Sequence, residues 1–104
     1  MYRTWALFPK IDESRFDTNY FLTEHVRKTK ALLAPHGLQG LNAEEGVVLK
    51  PPGPPATYLM MSCLTFGSSG ALEAAMAACG RELSADFANF TDVRPLIQVN
   101  RVVR

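Results

Sequence analysis

Apolar residues along this chain change period several times, and the changes mark out its elements. Tyr2 to Phe8 is aromatic, β-branched and apolar, and Pro9 closes it, which predicts a strand. From about Arg15 to His36 the period lengthens. Leu22, Val26, Thr29, Leu33 and His36 recur at steps of four and three, with His25 and Leu32 flanking, so the pattern predicts a helix. Ser14 and Asp17 have the spacing of a start signal; Pro35 and Gly37 stop the helix. Phe16 and Tyr20 project nearly opposite the apolar stripe, so either the helix bends near its start or these rings cover something apart from the main core. Glu24 and Lys28, four apart, would pair on the wet side.

Gly40 to Lys50 starts irregularly and ends as a predicted strand at Gly46-Val47-Val48-Leu49. The prolines of Pro51-Pro52-Gly53-Pro54-Pro55 then exclude helix or central strand. Thr57 to Phe66 predicts another strand, with Leu59, Met61 and Cys63 on one face and Tyr58, Met60, Leu64 and Phe66 on the other. Ser68 or Ser69 can cap the next helix, whose stripe is Leu72, Ala75, Met76 and Cys79, continuing to Leu83 and Phe87 past an expected break at Gly80. A last strand is expected from about Arg94 to Val103. The predicted order is β-α-β-β-α-β over a single domain, residues 1–104. That is an α+β, ferredoxin-like plan: a four-stranded antiparallel sheet with both helices on one face. Strands apolar on both faces leave an open sheet surface that predicts a homodimer packed sheet against sheet.

Composition narrows the function classes. The 104 residues carry 11 basic and 10 acidic side chains, a net charge of +1, with no basic stripe, so no nucleic-acid partner is expected. The cluster Arg27-Lys28-Thr29-Lys30 reads as a solvated helix face. No apolar run reaches the roughly 20 residues of a membrane helix, and the N-terminus lacks a signal-peptide plan, so no membrane association is expected and the location is expected to be cytoplasmic. Cys63 and Cys79 have no CxxC spacing. Two histidines without an acidic residue at ligand spacing give no metal site, and no GxGxxG, P-loop or GxSxG motif supports a nucleotide, flavin or serine nucleophile. No cofactor is expected.

The residues that could carry chemistry are few. His25 lies on the inward flank of the first helix, as an acid/base group or as a buried structural histidine. Asn89-Phe90-Thr91-Asp92 joins the second helix to the last strand. It can be a turn clasp, or Asp92 can orient His25 or a substrate hydroxyl. Tyr20 and Tyr58 can line a pocket and donate hydrogen bonds, and Met60, with Met61 and Met76, can supply an adaptable apolar lining; core packing is the plainer role for each. His36 suits a helix C-terminus.

With these residues in view, the chain resembles the EthD family, named for the degradation of ethyl tert-butyl ether. The resemblance runs through Phe16, Tyr20, Phe21 and His25, Gly37-Leu38, the proline-rich connection before Tyr58, and Leu64, Phe66 and Ser68. It then takes in Ala85-Asp86, Asn89-Phe90-Thr91-Asp92, Pro95, Ile97 and Gln98. One departure is clear. Family members often read His-x-Pro-Leu where this chain has His25-Val26-Arg27-Lys28. The resemblance implies a dimeric α/β barrel that handles a small hydrophobic compound. One reading is a cofactor-independent enzyme with His25 and Asp92 as catalytic residues and Tyr20, Tyr58, Met60, Asn89 and Phe90 around the substrate. The other is a non-catalytic binding or accessory protein.

Overall fold

The computed structural model describes residues 1–104. Strand β1 (Tyr2–Pro9) sits inside the sheet, pairing antiparallel with β3 (Tyr58–Phe66) on one side and β4 (Leu96–Arg101) on the other. Strand β2 (Leu38–Glu45) pairs with β3, giving the antiparallel order β2-β3-β1-β4. Helix α1 covers residues 18–33, and α2 is Ser69–Asp86. The α+β, ferredoxin-like architecture predicted from the sequence is therefore the one observed.

Four local expectations are corrected. The first helix starts at Thr18, not Arg15: Asp17 is its cap, accepting from the Tyr20 amide at 3.0 Å, while the Ser14 hydroxyl donates to Ile11 instead. The second strand is Leu38–Glu45, and Gly46–Leu49 lies beyond it. The Gly46 amide makes one last bond to the Leu59 carbonyl at 2.9 Å, and a Cβ there would collide with the Tyr58 carbonyl. Gly80 does not break α2, which is continuous over 18 residues. β4 is shorter than expected and is an exposed edge strand.

α1 is three segments in one rod: α-helix Thr18–Tyr20, π-helix Phe21–His25 and α-helix Val26–Leu33, followed by a 3-10 turn Ala34–His36. In the π turn the Val26 amide reaches the Phe21 carbonyl five residues back. Along an ordinary α-helix, positions four apart drift by about 40° per step. The wider turn offsets that drift, so Phe21, His25, Thr29 and Leu33 are all buried in one row. Leu22, expected on the buried stripe, is half exposed for the same reason.

Ladder register sorts the side chains. Tyr2, Thr4, Ala6 and Phe8 of β1 lie opposite Phe66, Leu64, Ser62 and Met60 of β3, on the face under the helices. The interior there forms two clusters. Phe66, Leu33, Leu72, Ala75, Cys79 and Leu83 make an aliphatic one at one end; Phe8, Phe21, Met60 and Phe90 make an aromatic one at the other. Between them β1 and β3 carry Thr4, Ala6 and Ser62, with Leu64 the one large side chain. Phe8 is fully buried and packs edge-to-face on Phe16, Phe21, Phe87 and Phe90. Phe8→Ala is expected to destabilise the domain by about 3–5 kcal/mol in denaturant unfolding. A loss below about 1 kcal/mol would mean the aromatic cluster contributes little.

Candidate functional site: a buried histidine between a cavity and a polar network

The segment after α2 turns back onto the start of α1. The Arg15 amide donates to Asp92 Oδ1 at 2.8 Å, the Thr91 hydroxyl to the Arg15 carbonyl at 2.7 Å, and the Asp17 amide to the Phe90 carbonyl at 2.7 Å. Arg15 Nη2 adds a bond to the Ala88 carbonyl at 2.8 Å. Asp92 thus takes part in the clasp between the two segments. The carboxylate beside His25 is Asp86, in the last turn of α2.

Asp86 is 8% exposed and surrounded by donors. His25 Nδ1 lies 2.7 Å from Oδ2; the Tyr20 hydroxyl (2.8 Å), Asn89 Nδ2 (2.8 Å) and Lys28 Nζ (3.0 Å) converge on Oδ1. Lys28 also donates to the Tyr20 oxygen at 2.8 Å, so ammonium, phenol and carboxylate close a ring of hydrogen bonds. Burial pushes the Asp86 carboxyl up, but the hydrogen bonds from His25, Asn89, Tyr20 and Lys28 outweigh it and hold the group well below the usual carboxylate range. The bond to Tyr20 first, and then Asp86, raises the Lys28 ammonium above its ordinary value. Glu24, expected to pair with Lys28, pairs with Arg27 at 2.8 Å.

An ionised carboxylate only accepts, so the Nδ1 of a neutral His25 carries the proton. Its ring is gripped by Phe21, Phe87 and Phe90, with centroids at 5.5, 5.5 and 4.8 Å. Nε2 has no hydrogen-bond partner in the protein. The ring borders a cavity of about 160 Å³ between sheet and helices, also bounded by Phe21, Thr29, Leu64, Met76 and Leu83. On its other side His25 borders an outer groove with Lys28, Asp86 and Asn89.

Of the candidates from the sequence, His25, Tyr20, Asn89 and Phe90 gather round Asp86; Tyr20 also stacks on Phe90 with centroids 6.1 Å apart. Tyr58 and Met60 lie away from this cluster, with Met60 packed into the aromatic core. Sequence reasoning missed Asp86, Lys28 and Phe87. Asp86 was signalled: Leu72, Ala75, Cys79, Leu83 and Asp86 follow one another at steps of three and four, which puts a carboxylate on the buried stripe. No group of three or more His, Cys, Asp or Glu side chains comes together.

Two helices on one face of a β2-β3-β1-β4 sheet define a ferredoxin-like α+β protein. The comparisons narrow this. An EthD-like protein of Ralstonia eutropha is 28% identical and superposes with a TM-score of 0.87, over 99% of this chain and 92% of that one. An ethyl tert-butyl ether degradation family protein of Bacillus halodurans is 17% identical with a TM-score of 0.75, over 99% of both chains. A dimeric ferredoxin-like protein of unknown function from Thermobifida fusca shares the fold at 14% identity and a TM-score of 0.53, over 97% of this chain and 90% of that one. Neither a protein-family model nor a curated protein sequence matches the chain. The EthD-like neighbours support membership of the EthD family.

Asp86→Asn places an amide donor among four donors and is expected to cost about 2–3 kcal/mol of unfolding free energy at neutral pH. Because folding depresses the carboxyl pKa, the stability that Asp86 contributes is complete above about pH 4 and is lost as pH falls below it. Denaturant unfolding at neutral pH and near pH 3 should therefore show a smaller acid loss in Asp86→Asn than in the wild type. Equal losses would assign the acid sensitivity to other carboxylates.

Proposed function

We propose that this protein is a homodimeric, cytoplasmic enzyme of small-molecule catabolism, in which His25 is the acid/base group and no cofactor takes part. The observation that carries this reading is the buried imidazole itself. Nδ1 is held by an ionised carboxylate, Nε2 makes no hydrogen bond to the protein, and the ring borders the apolar cavity. A free histidine nitrogen beside a mainly apolar cavity suits proton abstraction from a C–H or O–H of a hydrophobic substrate, followed by return of the proton to another atom. Asp86 takes the orienting role that the sequence suggested for Asp92. It fixes the tautomer and stabilises the imidazolium once Nε2 is protonated. Tyr20, Lys28 and Asn89 keep Asp86 ionised, and Phe90 sets the plane of the ring. Dehydration and isomerisation fit this apparatus. The EthD relatives bring ethers and related hydrophobic compounds among the candidate substrates.

The dimer is supported by the face of the sheet away from the helices. The register puts Trp5, Leu7, Met61 and Leu96 together there, and Leu96 is more than half exposed. The Thermobifida fusca neighbour is itself dimeric. Cys63 and Cys79 are buried and unbridged, as suits a reducing compartment. No helix is long and apolar enough to cross a membrane.

Incubation of the purified protein with a panel of small hydrophobic ethers, alcohols and ketones, followed by mass spectrometry, is expected to identify a substrate. His25→Asn should then lower kcat by about a hundredfold or more while leaving substrate affinity within a few fold. Unchanged turnover in a folded His25→Asn protein would remove His25 from the chemistry. Binding without turnover in the wild type would favour a carrier or accessory role. Sedimentation at micromolar concentration is expected to show a dimer, and a monomer would refute the sheet-to-sheet pairing.

A further inference from the structure

The cavity beside His25 exists because particular positions are small. On the sheet, Thr4, Ala6 and Ser62 are small and only Leu64, opposite Thr4, is large on that stretch of β1 and β3. On α2, the residues facing them are Met76, Gly80 and Ser84, one row at steps of four. Gly80 is the least expected of these. It lies inside an 18-residue helix, where glycine is unfavourable relative to alanine, and its φ is not in the left-handed region. A Cβ built on it would meet nothing within 4 Å. Neither backbone geometry nor packing requires glycine there. What its missing side chain provides is room in the cavity.

That room faces a polar group with nothing to bind. His25 is 8% exposed, and its ring bonds the protein through Nδ1 alone, leaving Nε2 free. Thr4 and Ser62, both half-buried, also border the cavity and bring hydroxyls to it. We propose that Gly80 sets the size of ligand this cavity accepts, and that the Thr4 and Ser62 hydroxyls take an oxygen of that ligand. The site then selects a compact, mainly apolar molecule bearing a hydroxyl or carbonyl group. A volume near 160 Å³ suits one or two small rings. The inference rests on the cavity being the ligand site of the proposed function, but it does not depend on turnover.

Benzene, phenol and 2-naphthol serve as probes, with affinities measured by ligand-detected NMR titration and stability by thermal unfolding. Phenol is expected to bind the wild type at least about fivefold more tightly than benzene, the scale of one hydrogen bond. The double variant Thr4→Val, Ser62→Ala should erase that preference. Gly80→Ala should raise Tm by about 3–6 °C, weaken 2-naphthol by about threefold and leave phenol unchanged. Gly80→Leu should weaken 2-naphthol at least about tenfold. A fall in Tm for Gly80→Ala, or its unchanged affinity for 2-naphthol, would overturn the role of Gly80. Equal binding of benzene and phenol would overturn the role of the hydroxyls, and absence of saturable phenol binding would overturn the whole. His25→Asn should keep the response of 2-naphthol binding to Gly80→Ala even where turnover is lost, so failure of the acid/base reading and failure of this one are told apart.

Discussion

The arrangement around His25 depends on the clasp between Arg15–Asp17 and Phe90–Asp92. Its hydrogen bonds join segments more than seventy residues apart in sequence and fix how the end of α2 meets the start of α1. Closing so long a loop carries an entropy cost that local bonds alone do not recover. The aromatic cluster offsets it, because Phe90, which supplies a carbonyl to the clasp, also buries its ring against Phe8, Phe16 and Phe21. Asp86 and Asn89 arrive beside Tyr20 and His25 as a consequence. Polar site and aromatic core are two sides of one junction.

Burial pushes the Asp86 carboxyl up, and the hydrogen bonds of four donors outweigh it. The donors come from separate elements: His25 from the π turn, Tyr20 from the turn before it, Lys28 from the helix after it, and Asn89 from beyond α2. The π turn matters most, because it keeps His25 in the same buried row as Phe21 and Thr29 while Lys28 can still reach round to the carboxylate. A charge-assisted network of this kind holds the histidine in one tautomer and one orientation without freezing the cavity on its other side.

Much of this was legible in the pattern of residues. Period and punctuation locate both helices, β1, β3 and the βαββαβ order, because each has a strongly apolar face and a clear stop. The second strand was misplaced because Val47-Val48-Leu49 is the more apolar run, whereas pairing with β3 selects Leu38–Glu45, an edge strand with only a few half-buried positions. The break expected at Gly80 did not form, since one glycine is tolerated in a helix packed on both sides of it. The odd placement of Phe16 and Tyr20 was a real signal. Phe16 lies before the helix, and Tyr20 just before a π turn, which no residue type announces. The inward reach of Lys28 was hidden because a long side chain belongs to a solvated face until a tertiary partner is known. Asp86 could have been found, as the carboxylate on the buried stripe of α2.

The divided interior has a mechanical side as well. The aliphatic and aromatic clusters flank a part-open cavity of about 160 Å³, so side-chain contact between the two is thinnest there. A guest that binds only the folded state stabilises it by mass action. One filling the cavity would touch both clusters at once, and would make the two halves of the interior melt together.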